Sequence, residues 1–166
     1  MTGGEPTTSS DPLTTITNYH PLSDLLGSGG QPTAEQFALI HKAGYQIVIN
    51  LALPTTKNAL ANEGELVTQL GMNFIHIPVQ WEQPTISDFM QFQYIMKACE
   101  QKKVFIHCGL NMRVSCFLFL YRVIILKMDI HQAGKEITKI WQPNEVWQQF
   151  MTDVLKKYNF EVGVFQ

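Results

Sequence analysis

The chain has 166 residues, which is enough for one domain with a sizeable hydrophobic core. Its composition, with 45% hydrophobic and 16% charged residues, is ordinary for a globular protein. With a formal net charge of −2, the chain as a whole does not attract nucleic acid or an anionic membrane. An anionic substrate would therefore need a local positive site.

Neither the N-terminal segment nor the most apolar run predicts a signal peptide or a membrane span. Residues 1–14 are rich in Thr, Ser, Gly and Pro, lack the apolar core of a signal peptide and are predicted to be disordered. Residues 161–166 are interpreted as a tail. The run 114–126 is interrupted by Arg122 and is shorter than the ~20 residues that a bilayer span needs, so it predicts a buried core helix.

Strands and helices alternate along residues 15–160, which are predicted to form one domain. Residues 22–30 predict a short strand or turn followed by a glycine-rich loop. Thr33 and Gln36 fit a capping box at the start of a helix that Gly44 ends. Further strands are predicted at 45–51, 73–79 and 103–107, and further helices at 58–70, 89–101, 113–126, 130–140 and 144–158.

This alternation predicts an α/β fold. Right-handed crossovers between successive strands give a mostly parallel central sheet with helices on both faces. In such sheets ligands bind beyond the carboxyl ends of the strands. The loops that follow residues 51, 79 and 107 should therefore converge on one site.

The segment from 104 to 115 carries the strongest functional signal. An apolar strand leads into His107 and Cys108, and Arg113 closes a short loop before an apolar helix. We call residues 108–113 the Cys–Arg loop. Cysteine attacks as the thiolate, which backbone amides, a helix N-terminus and a guanidinium all stabilise, so Cys108 is predicted to be a nucleophile. The same groups suit a phosphoryl group, and the residues predicted to bind it are Gly109, Leu110, Asn111, Met112 and Arg113.

Neighbouring residues are assigned supporting roles. Ser115 lies one turn into the helix, and its hydroxyl is predicted to reach the Cys108 sulfur and stabilise it as a leaving thiolate. His107 should point away from the loop by strand alternation and fix it through hydrogen bonds. Cys116 is predicted to be a core residue; a reversible disulfide between Cys108 and Cys116 or Cys99 is the alternative.

Metal and cofactor binding are not indicated. The three cysteines and five histidines show no zinc-ligand spacing, so no metal and no cofactor are expected. An odd number of cysteines favours reduced thiols and a cytoplasmic location.

At these residues the chain resembles the cysteine-dependent phosphatases of the protein-tyrosine and dual-specificity type, and among them the small bacterial dual-specificity-like branch. The resemblance covers residues 16–158. It implies a phosphatase fold and hydrolysis of a phosphate monoester, from a protein or a small molecule, through a cysteinyl-phosphate on Cys108, with Arg113 stabilising the transition state. The matching features are Gly30-Gln31-Pro32-Thr33 before a helix, Gly44-Tyr45 leading into Val48-Ile49-Asn50-Leu51, Ile77-Pro78-Val79 before a loop, and the Cys–Arg loop itself.

The Cys–Arg loop departs from the family pattern in its length. The family places five residues between Cys and Arg, with Gly as the third; this chain has four, with Asn111 as the third. Asparagine tolerates the left-handed backbone conformation better than most residues, so the turn is feasible with one fewer amide for phosphate. Ser115 keeps the family's spacing from Cys108 but stands two residues after Arg113 instead of one.

The general acid is the second departure. The family places an Asp in the loop that corresponds to residues 80–84, which here contain no Asp. Glu82 is the nearest carboxylate and is predicted to be the acid. Asp88 is the alternative, although its place in a second capping box with Thr85 explains it without catalysis. Trp81 is expected either to line the mouth of the pocket or to pack under the loop.

Two other functions stay open at this point. Rhodanese-like sulfurtransferases also present a cysteine after a strand, and a shorter loop suits a Cys108 persulfide better than a phosphate. A phosphate-binding module without turnover is the third interpretation, supported by the missing Asp. The sequence carries no signal for a particular substrate or oligomeric state.

Overall fold

A five-stranded sheet with helices on both faces forms the centre of the protein in the computed structural model, which describes residues 11–160. The strands are β1 (His20–Ser23), β2 (Leu26–Gly29), β3 (Ile47–Asn50), β4 (Asn73–His76) and β5 (Val104–His107). Their spatial order is β1-β2-β5-β3-β4, and only the β1–β2 pair is antiparallel within the described residues. The predicted α/β fold with a mostly parallel sheet is confirmed.

Helices cover both faces of this sheet. They are α1 (Ala34–Lys42), α2 (Glu63–Gln69), α3 (Ile86–Ala98), α4 (Met112–Ile124), α5 (Ile130–Thr138) and α6 (Glu145–Lys157). Side chains of β3 and β5 alternate between two hydrophobic clusters. Val48 and Phe105 pack with residues of α1 and α2, whereas Ile49 and Ile106 pack with residues of α3, α4, α5 and α6. No helix within residues 11–160 is long and apolar enough to cross a bilayer.

The capping features predicted at the helix ends are present in the structure. The side chains of Thr33 and Thr85 each accept a hydrogen bond in a complete capping box, at the starts of α1 and α3. Gly44 has φ 97°, the left-handed conformation that ends α1 at glycine. The other predicted boundaries agree with the structure to within a few residues, apart from those that follow.

The glycine-rich stretch predicted as a loop is instead the strand β2, which pairs with β1 on one side and β5 on the other. The glycines of β2 do not form a turn; they let neighbouring side chains pack close to the strand backbone. A Cβ on Gly27 would lie 2.2 Å from the Tyr45 hydroxyl, so only glycine lets this backbone approach Tyr45.

Two further predictions need correction. The helix expected at 58–70 begins only at Glu63, and residues 58–62 belong to a loop that reaches the Cys–Arg loop. The disorder predicted for 1–14 does not hold for its last residues. Pro12–Thr15 form a short 3-10 helix whose Leu13 is buried, and Asp11 caps it. Residues 1–10 and 161–166 lie outside the described residues.

Candidate active site

A pocket of about 490 Å³ opens at the carboxyl ends of β3, β4 and β5. Three loops line it, as the sequence predicts. The lining residues are Thr56, Lys57 and Asn58 from the loop after β3, Trp81 from the loop after β4, and Cys108, Gly109, Leu110, Met112 and Arg113 after β5.

Cys108 follows directly on β5, a strand buried along its whole length, and is itself buried at the base of the pocket. The other two cysteines are less suited to be the nucleophile. Burial raises the pKa of the Cys116 thiol and of the Cys99 thiol, so both stay protonated at neutral pH. Cys116 is a core residue as predicted. Cys108 is therefore the cysteine with access to a ligand in the pocket.

Two donors from outside the Cys–Arg loop engage the carbonyl group of Gly109. The Gly109 carbonyl accepts hydrogen bonds from the backbone N–H of Gln31 at 3.0 Å and from the side-chain amide of Asn58 at 3.1 Å. In a planar trans peptide the N–H points opposite to the C=O. The N–H of Leu110, a residue that lines the pocket, therefore points away from the Gly109 carbonyl and is not turned towards its two donors.

Asn111 makes the turn from this loop into α4. Its φ of 66° and ψ of 4° are left-handed, as expected for an asparagine in the place of the family's glycine. Its side-chain amide donates to the Asn18 carbonyl at 2.8 Å and to the Ser28 hydroxyl at 3.2 Å, and does not cap the helix. The first N–H groups of α4 are thus left without a side-chain cap, which suits them to bind an anion.

Arg113 is buried against the loop after β4. Its Nε donates to the Val79 carbonyl at 3.0 Å, and its guanidinium carbon lies 5.3 Å from the centre of the Trp81 ring. With Nε engaged, the two terminal nitrogens are the ones placed to contact a phosphoryl group. A guanidinium can bind two oxygens of such a group at once.

Trp81 is held in place by two other tryptophans. Its ring centre lies 5.4 Å from that of Trp141 and 5.6 Å from that of Trp147, and its carbonyl accepts from Trp147 Nε1 at 3.0 Å. Both expectations for Trp81 are thus met, since it lines the pocket and packs under the loop.

The Ser115 hydroxyl is engaged within its own surroundings. It donates to the Met112 carbonyl at 2.7 Å and accepts from Trp141 Nε1 at 3.0 Å. A hydroxyl has one hydrogen, so in this arrangement it cannot also donate to the Cys108 sulfur. Stabilisation of Cys108 by Ser115 therefore requires the hydroxyl to rotate when substrate binds.

The two candidate acids lie outside the pocket wall. Glu82 is exposed in the loop after β4, next to Trp81. Asp88 accepts from the Thr85 backbone N–H at 3.0 Å in the capping box of α3. Among residues 11–160, no carboxylate side chain lines this pocket.

The sequence analysis missed a buried carboxylate behind the Cys–Arg loop. Glu63 Oε2 lies 2.7 Å from His107 Nε2, and Glu63 Oε1 accepts from Gln31 Nε2 at 2.6 Å. His107 Nδ1 lies 3.2 Å from the Cys108 carbonyl oxygen, in line with the role predicted for this histidine. Gln31 belongs to the Gly-Gln-Pro-Thr motif, which is the one sequence signal that points to this cluster. Glu63 carried no such signal, because the sequence predicts it in the middle of a helix over 58–70 rather than at the start of one.

Comparison with known proteins identifies similar chains. A family model described as a DSP-PTPase phosphatase fused to NAD+ kinase matches residues 15–153. A protein from Shewanella putrefaciens CN-32, described as a candidate phosphatase (DUF442), is 34% identical in sequence and superposes with a TM-score of 0.79. The match covers 88% of this chain and 96% of that one.

More distant structures share the fold alone. A kinase-associated phosphatase with serine in place of its catalytic cysteine is 14% identical, with a TM-score of 0.73 over 89% of this chain and 98% of that one. TpbA from P. aeruginosa is 16% identical, with a TM-score of 0.66 over 81% and 83% of the two chains. No protein with curated annotation matches the sequence.

Proposed function

Since the chain belongs to the family of dual-specificity-type phosphatases described as fused to NAD+ kinase, we propose that it hydrolyses phosphate monoesters with Cys108 as the nucleophile and Arg113 as the phosphate ligand. The observation that carries this proposal is the juxtaposition in one pocket of a buried cysteine, a buried arginine and the amides of the Cys–Arg loop. The proposed substrates are phosphorylated proteins or small molecules.

The proposed reaction has two steps. The Cys108 sulfur attacks phosphorus while the bond to the leaving oxygen breaks, giving a cysteinyl-phosphate and an alcohol or phenol. Water then attacks phosphorus, releasing inorganic phosphate and the thiolate. The terminal nitrogens of Arg113 and the loop amides stabilise the charge on the equatorial oxygens in both transition states.

Glu82 is proposed to protonate the leaving oxygen and later to activate water. Its exposed position in the present arrangement means that the loop after β4 must bring it towards the pocket when substrate binds. The proposed substrate is therefore expected to close this loop.

We predict that Glu82→Gln lowers kcat/KM for an alkyl phosphate, which reports the first step alone, by about 10²-fold, since general acids contribute about 10²–10⁴. The loss should be smaller on p-nitrophenyl phosphate, whose leaving group needs no proton. Steady-state kinetics on both substrates give the measurement, with Asp88→Asn as the control. Equal effects of Glu82→Gln on the two substrates would contradict an acid role.

The pocket wall also favours an apolar leaving group. Trp81, Leu110 and Met112 form much of it, and Leu110 is 47% exposed. Burying an aromatic ring contributes about 1.5–3 kcal/mol, or roughly tenfold or more in binding. An aromatic leaving group, such as the phenol ring of phosphotyrosine, would be stabilised by this burial against the pocket wall.

We expect kcat/KM for phosphotyrosine peptides to exceed that for matched phosphoserine peptides by about tenfold or more. Leu110→Ser should narrow this ratio because it removes an apolar contact from the pocket mouth. Leu126→Ser is the matched control, since Leu126 is 54% exposed, close to the value for Leu110, but does not line the pocket. A phosphoserine preference in the unaltered protein would overturn this assignment.

The direct test of the phosphatase proposal sets it against the two open alternatives. Hydrolysis of an aryl phosphate and sulfur transfer from thiosulfate to cyanide are assayed side by side on the same preparation. Phosphate release alone supports the proposal. Sulfur transfer alone indicates a Cys108 persulfide enzyme, and vanadate binding without either activity indicates a non-catalytic module.

A reducing compartment fits this chemistry. The nucleophile must stay a free thiol, and the three cysteines are unpaired in the structure. We accordingly propose a cytoplasmic location.

A further inference from the structure

We propose that Glu63 is a positioning residue of this site, which keeps His107 in the doubly protonated form and so stabilises the Cys108 thiolate from behind the Cys–Arg loop. The inference rests on the proposed function, in which Cys108 is the nucleophile. It is carried by the contacts of a buried cluster that the reaction itself does not use.

Hydrogen bonding sets the protonation of the cluster. Both ring nitrogens of His107 face oxygens that have no hydrogen to give when Glu63 is ionised: the Cys108 carbonyl at 3.2 Å and Glu63 Oε2 at 2.7 Å. A neutral imidazole has only one N–H, so it satisfies one of these oxygens and turns a lone pair towards the other. The imidazolium donates to both.

The same contacts could be made if the proton lay on Glu63 instead. Gln31 argues against that arrangement, because its side-chain amide donates to the second carboxylate oxygen at 2.6 Å. Hydrogen bonds donated to a carboxylate favour its charged form. The proton is therefore assigned to His107, whose Nε2 lies 2.7 Å from Glu63 Oε2.

Burial makes this pair strongly coupled. His107 is fully buried and Glu63 is 5% exposed, so neither charge is solvated by bulk water. The ring of Phe37 in α1 also meets the imidazole edge-on, with ring centres 5.8 Å apart. Within the described residues, Glu63 is the charged group paired with His107, and Cys108 is the titratable group next to it in the chain. Loss of the Glu63 charge leaves the imidazolium without a counter-ion, which favours its neutral form.

Two consequences for catalysis follow. The His107 Nδ1–H holds the Cys108 carbonyl, and because the peptide is planar and trans, the Gly109 N–H is directed to the opposite side. Gly109 lines the pocket, so this amide becomes a phosphate donor. The positive charge of the imidazolium also favours the thiolate of the adjacent cysteine over the thiol.

The test is Glu63→Gln, which keeps the size and an acceptor oxygen but removes the charge. The rate of Cys108 alkylation by iodoacetamide is followed against pH, in a Cys99→Ser background so that one accessible thiol remains. We expect the midpoint of the profile to move up by about one pH unit. We also expect kcat/KM for p-nitrophenyl phosphate to fall about tenfold at the acidic end and to recover at the alkaline end. Glu65→Gln, an exposed carboxylate on the same helix, is the matched control and should change neither profile.

An unchanged alkylation profile, with activity lowered equally at every pH, would overturn the proposal and leave Glu63 a structural residue. If Glu63→Gln does not fold, ¹⁵N NMR of the histidine rings in the unaltered protein decides the matter. Two protonated nitrogens on His107 at neutral pH are expected, and a neutral tautomer contradicts the proposal. Neither the alkylation nor the NMR measurement depends on turnover, so failure of the phosphatase assay alone would count against the proposed function and not against this pair.

Discussion

Cys108→Ser should fold normally and release phosphate from p-nitrophenyl phosphate at least about 10⁴-fold more slowly than the unaltered protein. Serine has nearly the shape of cysteine, so the buried site at the end of β5 can accept it. Its hydroxyl, however, is not ionised at neutral pH and attacks phosphorus poorly. Circular dichroism spectra check that the variant folds, and a phosphate-release assay measures the loss of activity.

Cys99→Ser is the control for that experiment. Cys99 is half-buried at the C-terminal end of α3 and does not line the pocket. It should retain full activity. Comparable activity in Cys108→Ser and Cys99→Ser would show that Cys108 is not the nucleophile.

Arg113→Lys is the second change with a large expected effect, a fall in kcat/KM of about 10²–10³-fold. Arg113 uses Nε on the Val79 carbonyl and rests on the Trp81 ring, which leaves its terminal nitrogens for the phosphoryl oxygens. Lysine offers one ammonium group and cannot hold the carbonyl and a bidentate phosphate together. Steady-state kinetics and phosphate inhibition constants measure the loss.

Arg122→Lys tests whether that loss is specific. Arg122 lies on the same helix, α4, but away from the pocket, so the same substitution should leave kcat/KM nearly unchanged. Equal losses in the two variants would indicate a general effect on α4 rather than phosphate binding by Arg113.

Features set by neighbouring residues in the chain were predictable from the sequence. The capping boxes at Thr33 and Thr85 depend on side chains three residues apart, and the structure contains both. The left-handed Asn111 follows from the short polar side chain of that residue. The convergence of three loops follows from the parallel sheet itself.

Features set by distant contacts were not predictable in this way. Residues 27–29 form a strand because β5 pairs with them, and nothing in their glycine-rich composition indicates that partner. Ser115 is drawn to Trp141, which comes from a later part of the chain, instead of towards Cys108. Glu63 meets His107 only because the fold brings the first residue of α2 to the last residue of β5. In each case a long-range contact determined the result.

The Cys–Arg loop is one residue shorter than the family pattern. The four-residue spacing left a sulfurtransferase open at the sequence level, yet the chain that carries it matches a phosphatase family over residues 15–153. Asn111 supplies the turn that glycine makes in the family pattern, and the Gly109 carbonyl is engaged by donors from outside the loop such as the Asn58 side chain. A shorter loop can thus keep its amides available for an anion.

Detection of the covalent intermediate tests the central claim most directly. The protein is mixed with an aryl phosphate, quenched in acid within milliseconds, digested and analysed by mass spectrometry. We predict one phosphoryl group on the peptide that contains Cys108, and none on that peptide in Cys108→Ser. Phosphate release without a Cys108 adduct, or a Cys108 persulfide from thiosulfate with no phosphoryl adduct, would contradict the proposed mechanism.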